Sequence, residues 1–466
     1  MTETAQTRAT ATAALRSTMT GQVFGPADAG YDTARRVWNG DIDRRPAVIA
    51  RCGSVTDVTA AIRHAREHGL EIAVRGGGHS AWGASTCDDG LVIDLSPLCR
   101  VRVDPVIRRV RVGGGASLAQ LDAATQAHGL AVPAGTVSHT GVGGLTLGGG
   151  FGWLTNRAGL SIDNLTSAQV VLADGRVVRA SADEHPELFW GLRGGGGNFG
   201  VVTEFEFAAH PVGPLVQLGL LFWPVHQAAE ALRIGRDVLA GLPRSAGGML
   251  AALNAPPAPF VPEAHHLTPG VALVIAGFAD PDAHAALLAP ARAAAPLFEY
   301  LTTLPHTGLQ QMLDDTAPWG VRAYTKGIFL DELPDPAIAV LAAHLPAKSS
   351  PMTLVAIVSI GGAFADVPDE ATAFAGRRST RFAVGIDALA HDAEPLAADR
   401  AWARSLYDAL RPFSPDGAAY VNFMGEPDQA WVRASYGPKY PRLARIKATY
   451  DPDNLFHRNP NITPTH

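Results

Sequence analysis

Four short stretches set chemically capable side chains beside permissive backbone. Arg75-Gly76-Gly77-Gly78-His79-Ser80 places an imidazole and a hydroxyl directly after three glycines. Gly135-Thr136-Val137-Ser138-His139-Thr140 runs straight into Gly141-Val142-Gly143-Gly144-Leu145-Thr146-Leu147-Gly148-Gly149-Gly150 and on to Gly152. Tyr420-Val421-Asn422-Phe423 spaces a phenol and a carboxamide two apart, and Tyr324-Thr325-Lys326 does the same with a phenol and one of only four lysines. Histidine and tyrosine can move protons or attack as nucleophiles. Glycine lets the main chain press against a flat or phosphorylated ligand.

Glycine is unevenly spread: 25 of the 49 lie between Gly76 and Gly200. Besides the two runs above, clusters occur at Val112–Gly115 and Arg193–Gly200. Each cluster taken singly is read equally well as a tight turn, and His79 taken singly as a solvated or backbone-capping residue. Four clusters beside apolar runs within 125 residues point to close backbone approach to a ligand. A dinucleotide fingerprint needs GxGxxG between a strand and a helix with an acidic residue about 20 positions on; the long glycine run does not have that context. No GK[ST] occurs, which excludes a Walker loop.

Several elements must carry these loops. Ser54 caps a helix that closes on Gly69, and Ser117 opens another that runs toward Gly129. Asp174-Gly175 between two apolar runs predicts an antiparallel hairpin. After about Pro214 the chain becomes alanine-rich and proline-punctuated, with apolar strands such as GVALVIAGF and MTLVAIVSIGGAF between helical stretches. This predicts a second unit, an antiparallel sheet with helices on one face. From Tyr420 the texture changes again, as a C-terminal return. The expected fold class is α+β, divided into an N-terminal extension (1–30), a cofactor-binding domain (31–213), a substrate domain (214–418) and a returning segment (419–466).

A net charge of −6 without a basic stripe argues against nucleic acid and anionic membrane as partners. Cys52, Cys87 and Cys99 lack disulfide or metal-ligand spacing, and no metal site is expected. The polar, threonine-rich start has no apolar signal core. The longest apolar stretch, 354–364, is well short of the roughly 20 residues of a membrane span. A cytoplasmic protein, monomer or homodimer, is the expectation.

Arg75 to Ser80 resembles the flavin-attachment loop of the FAD-linked oxidases of the vanillyl-alcohol-oxidase/PCMH superfamily, in the berberine-bridge-enzyme-like branch with its bacterial hydroxynicotine-oxidase-like and polyketide-tailoring members. The likeness continues through 133–165, 187–207, 361–374 and the final segment, so it spans nearly the whole chain. It implies a PCMH-type FAD-binding domain and an FAD bound along Arg75, Gly76, Gly77, Gly78, Ser80, Gly135, Thr136, Val137, His139, Thr140, Gly141, Gly143, Gly144, Leu145, Gly148, Gly149, Gly150, Gly152, Val201, Tyr420 and Asn422. It also implies that His79 joins the flavin covalently. Many members carry a second tether, a cysteine, where this chain has Val137, so a single histidine tether is implied.

The resemblance makes Tyr420 the candidate base, although a phenol must lose about three units from ~10 to serve near neutral pH. Tyr324 and Lys326 become candidate pocket-wall residues, and Trp82, Trp153, Trp319 and Phe423 candidate stacking surfaces. Ser138-His139-Thr140 matches polyketide-tailoring members, which makes Thr140 and His139 candidates beside the O2 site. The implied function is oxidation, with O2, of a small, largely apolar alcohol, phenol or amine in bacterial secondary metabolism. The alternatives are a flavin-dependent oxygenase acting on an aromatic-polyketide-like substrate and a catalytically silent flavin-binding homologue.

Overall fold

The structure, a computed structural model, describes residues 12–465; the first part of the expected N-terminal extension lies outside the described residues. Among the described residues, three large sheets organise the chain, and a fourth pairs only Leu130–Ala131 with His210–Pro211. The first has strands β1 (Gln22–Phe24), β2 (Val48–Arg51), β3 (Ile72–Arg75) and β4 (Leu91–Asp94) in the order β1-β2-β4-β3. β2 and β3 run parallel to β4, and β1, which falls inside the expected extension, pairs antiparallel at the edge. Helix α1 (Val55–His68) connects β2 to β3. Its Ser54 hydroxyl accepts from the Asp57 N–H, Gly69 closes it at φ 61°, and Val58, Ala61, Ile62 and Ala65 recur at helical spacing to bury one face. β3 stops at Arg75, so the first glycine loop leaves the end of a buried strand.

The second sheet is antiparallel: β5 (Val101–Asp104), β6 (Arg109–Gly113), β7 (Leu165–Val171), β8 (Val177–Ser181) and β9 (Val201–Ala208), in the order β5-β6-β9-β7-β8. Asp174-Gly175 makes the expected turn between β7 and β8, with Gly175 at φ 85°. Helix α2 (Leu118–Gln126) begins with a Ser117–Gln120 capping box. The short helix α3 (Val142–Gly148) follows within the long glycine run.

The third sheet is seven-stranded and antiparallel, built from β10 (Leu215–Pro224), β11 (Ala246–Asn254), β12 (Pro269–Gly277), β13 (Phe298–Pro305), β14 (Arg322–Leu330), β15 (Leu354–Ser359) and β16 (Phe382–Ala390). Its order is β13-β10-β12-β11-β15-β16-β14. Strand alternation gives it two apolar faces. One packs under helices α4 (Ala228–Ala240), α5 (Pro281–Ala293), α7 (Asp335–His344) and α8 (Ala393–Leu410), with α6 (His306–Gln311) set apart from that layer. The other face joins Phe151, Trp153, Leu160 and Tyr420 in a core shared with the glycine-rich half.

The C-terminal helices α9 (Gln429–Tyr436) and α10 (Tyr440–Tyr450) return to the second sheet. There Val432, Tyr436, Leu443, Ala444 and Ile462 complete one core with Phe205, Phe207, Leu188 and Phe199.

Candidate active site

The glycine loops meet backbone to backbone. A Cβ on Gly77 would stand 2.3 Å from the Gly141 nitrogen, and one on Gly141 would stand 2.3 Å from the Gly77 nitrogen. A Cβ on Gly76 or on Gly143 would stand 2.9 Å from the Gly114 carbonyl oxygen. The approach is closer than any side chain permits, which is why the two runs share the residue type. Around this contact Gly76, Gly77, His79, Ser80, Thr136, Val137, His139, Thr140 and Leu145 stay partly open, and Gly144 is exposed with open space where a side chain would go. Together they form one partly open, glycine-rich face.

Other residues expected to touch the cofactor are built into the frame behind that face. Arg75 is buried, its guanidinium held by Asp94 at 3.3 Å and by the Arg36 carbonyl at 3.1 Å. Val201 is core, on β9. Gly150 and Gly152 pack on Ser161 and the Ala134 carbonyl, and Gly135 packs on Leu145; the hydroxyl of the partly open Ser80 accepts from the Ala84 N–H.

His79 is held on two sides. Its ring stacks on Trp38 with centroids 4.4 Å apart and planes 14° from parallel, and its Nε2 lies 3.0 Å from Nδ1 of His139. Burial, and then the His139 ring, push its pKa down to about 3, so the imidazole is neutral. The loop bearing His139 is gripped from both halves of the molecule. From α2, the Ala119 N–H donates to the Ser138 carbonyl (2.8 Å) and the Leu118 N–H to the Thr140 carbonyl (2.9 Å). From the third-sheet half, the Asp314 carboxylate accepts from both the N–H (2.7 Å) and the hydroxyl (2.6 Å) of Ser138, and Gln310 donates to the Gly135 carbonyl (3.0 Å).

Tyr420 does not have the environment of a base. Its buried hydroxyl accepts from the Gly150 N–H and from the Asn422 carboxamide, both at 2.9 Å. Burial outweighs those two bonds and raises the phenol to about 12, the wrong direction for proton abstraction near neutral pH. Asn422 also donates to the Gly144 and Leu145 carbonyls, so the Tyr-x-Asn pair pins the glycine run.

Tyr324 and Lys326 correct the expected pocket wall. Both project to the helix-covered face of the third sheet. There the Tyr324 hydroxyl bonds to Glu426 and Arg404, and the Lys326 ammonium sits 4.6 Å from the Tyr407 ring centroid and 4.8 Å from that of Trp431. Trp153 is core, Trp82 packs beside Arg458, Phe423 lies across Gly327 and Gly385, and half-exposed Trp319 leans on Gly78.

The residue between Tyr324 and Lys326 faces the other way. Thr325, Asp387 and Leu354 stand in register across β14, β16 and β15; the next row is Gly327, Gly385, Ala356 and Ala251. These form a wall of small and apolar groups with one acid. The Asp387 carboxylate accepts from the Thr325 hydroxyl at 2.7 Å, and burial raises its pKa to about 6 against that bond. Sequence reasoning does not single out Asp387. Its signal is nevertheless present in FAVGIDALA, where one charge interrupts an otherwise apolar strand.

Two protein families match the chain: the FAD binding domain over residues 46–181, and the berberine and berberine-like family over 419–463. The (R)-6-hydroxynicotine oxidase of Paenarthrobacter nicotinovorans is 32% identical over 468 residues, covering 95% of this chain and 97% of that protein. The chain belongs to the berberine-like FAD-linked oxidoreductases. An FAD-linked oxidoreductase of Dictyostelium discoideum is 30% identical over 92% of this chain and 91% of its own length. The solved 6-hydroxy-D-nicotine oxidase of Arthrobacter nicotinovorans superposes with a TM-score of 0.85 at 28% identity, covering 96% of this chain and 98% of that one. Physcomitrella patens BBE-like 1, at 22% identity and a TM-score of 0.86, shares the fold. In this FAD-linked oxidoreductase the two loops suit the cofactor: they are partly open, and Gly144 beside them is exposed with open space where a side chain would go. No described helix is long and apolar enough to cross a membrane.

Proposed function

We propose that this FAD-linked oxidoreductase is an oxidase whose flavin is tethered through His79 alone and which removes a hydride and a proton from a small, largely apolar alcohol, phenol or amine, with O2 as final acceptor. The observation that carries the reading is Asp387: one partly open carboxyl in register with Leu354, beside the row of Gly327, Gly385, Ala356 and Ala251. The flavin, when bound, supplies the two-electron acceptor. Asp387 accepts the proton of the substrate's hydroxyl or ammonium, and Thr325 orients it. Phe423, laid across Gly327 and Gly385, completes an apolar surface beside Asp387 that selects against a strongly polar substrate. Gly76–His79, Thr136–Thr140 and Gly141–Leu145 would hold the cofactor, and Tyr420 with Asn422 keeps that backbone in place. Val137 offers no thiol for a second tether. Cys52 and Cys87 are buried, and the Cys87 thiol is pushed up to about 12 by burial, far from a reactive thiolate.

The test is the visible spectrum of purified protein before and after acid precipitation, followed by turnover of a panel of apolar amines, phenols and alcohols with peroxide detection. Yellow colour in the pellet, carried by the His79 peptide, with peroxide equal to product, is expected. Colour in the supernatant refutes the tether. Labelled oxygen from O2 in the product refutes the oxidase in favour of an oxygenase.

A further inference from the structure

The third sheet ends on two unlike edges. At one, β14 is closed: the Ala323 N–H donates to the Asn39 carboxamide oxygen and the Asn39 amide donates back to the Ala323 carbonyl, both at 2.9 Å, while the Phe329 N–H donates to the Ala418 carbonyl at 3.0 Å. At the other edge β13 pairs with β10 alone. One bond sets its phase. Leu215 stands opposite Pro305, and in the same register the His306 N–H donates to the Pro214 carbonyl at 2.9 Å. Hydrogen-bonded pairs alternate along an antiparallel ladder, so the main chain of Tyr300, Thr302 and Leu304 faces β10 and that of Glu299, Leu301 and Thr303 faces outward. Among the described residues, the Thr303 carbonyl alone of these outward groups is engaged, by the Thr302 hydroxyl at 3.4 Å. The strip also holds apolar side chains in water: Leu301 is 41% exposed, Leu297 38%, and Leu215, beside Pro305, 60%. An edge of this kind is ordinarily shielded by a free charge or a covering segment. Here the one charge, Glu299, is already clasped by the Arg292 guanidinium at 2.8 Å.

We propose that β13 is the docking edge for a second copy of this chain: the two β13 strands pair antiparallel about a two-fold axis through Leu301, and the third sheet runs on across both molecules. The strip is complementary to itself in that register. Leu301 meets its own copy, Glu299 meets Thr303 of the second chain and Thr303 meets its Glu299, each pair exchanging two main-chain bonds with no like charges opposed. Leu297 comes opposite Pro305 and beside Leu215, which buries the exposed aliphatic groups at both ends. Sliding the register by two residues sets Glu299 against Pro305, which has no N–H, or Thr303 against Leu297, whose N–H is committed to the Phe222 carbonyl at 2.7 Å. β13 leads straight into α6, whose Gln310 holds the Gly135 carbonyl, so the dimer braces the strand next to that grip on the glycine-rich half.

The experiment is analytical ultracentrifugation of the full-length protein over about 1–100 μM, the range that brackets a modest interface. Wild type is expected to pass from monomer to dimer within it. L301K sets two cations against each other on the axis and should weaken association on the order of 10- to 100-fold, and L301E should do the same with two anions. An equimolar mixture of L301K and L301E should dimerise again, which a folding defect in either would not allow. V177E, on the exposed edge strand β8 of the second sheet, should leave the dimer as it is. The register is read separately with a short bis-maleimide, against the wild-type background of Cys52, Cys87 and Cys99. L301C should cross-link to its copy, whereas L297C, set roughly 26 Å from its copy at ~3.3 Å per residue, should not. A wild type that stays monomeric throughout, or an L301K protein that dimerises like wild type, overturns the inference. Equal cross-linking of L297C and L301C overturns the register and with it the axis through Leu301.

Discussion

Asp387 is set in a wall that otherwise offers glycine, alanine and leucine, so its proton affinity follows from burial opposed by a single Thr325 hydroxyl. A carboxyl with a pKa near 6 must lose its proton before it can accept one from substrate. Accordingly kcat/KM should rise with pH through about 6 and level off above it. Asp387→Asn should remove that limb and lower kcat/KM by roughly 10²–10⁴-fold. Thr325→Val, which deletes the bond that lowers the pKa, should move the limb to higher pH. A pH–rate profile of each variant decides the matter; an unmoved limb in the asparagine variant would mean that another group titrates. Tyr420, raised to about 12, has no such limb to contribute in the working range.

The elements around the site differ in how far they are legible in the sequence. The Ser54 and Ser117 caps, the Asp174-Gly175 turn and the glycine clusters are local signals, each decided by a few neighbouring residues, and all appear where expected. The facing of strand β14 is not legible, because alternation supplies a period without a phase. Tyr324, Thr325 and Lys326 fit the pattern facing either way, and only the helices packed over the sheet fix Thr325 toward the opposite face, beside Asp387. Asp314 is hidden for a different reason. It lies 176 residues from Ser138 in the chain, and nothing local to either residue marks their pairing.

Helix α6 has a pH limit of its own. His306, its first residue, is fully buried, neither ring nitrogen has a partner, and burial lowers its pKa to about 4. The unfolded chain binds that proton near 6.5 and the folded one only near 4. Folding stability is therefore fully present above 6.5 and falls as the pH drops toward 4, by up to about 3 kcal/mol. His306→Leu should flatten this loss, seen as smaller differences between thermal melts at pH 7 and pH 4.5. Equal pH dependence in both proteins would assign the loss to other groups.

Across the whole molecule, Arg378 clasps the two halves. Its guanidinium donates to both oxygens of Asp163 (2.7 and 2.8 Å) and lies 4.9 Å from the Phe364 ring and 5.4 Å from that of Phe374. Both charged side chains are more than nine-tenths buried. Removing one partner strands the other charge, so Arg378→Met should cost about 3–5 kcal/mol in denaturant unfolding. Asp163→Asn with Arg378→Met should lose much less than the sum of the single changes. Additive losses would show that the pair is not coupled.

The returning C-terminal helices set an order of events. Val432, Tyr436, Leu443 and Ile462 belong to the same core as Phe205 and Phe207, and Lys447 reaches the Asn198 carbonyl and Asp451 without any exposure to water. A ribosome emits the second sheet more than 200 residues before it emits the helices that cover it. That sheet therefore waits, apolar side open, while the third sheet is made, and the FAD-binding half can close only after residues 429–450 have left the ribosome. During that interval the exposed apolar side is the part of the chain most open to aggregation and to a chaperone.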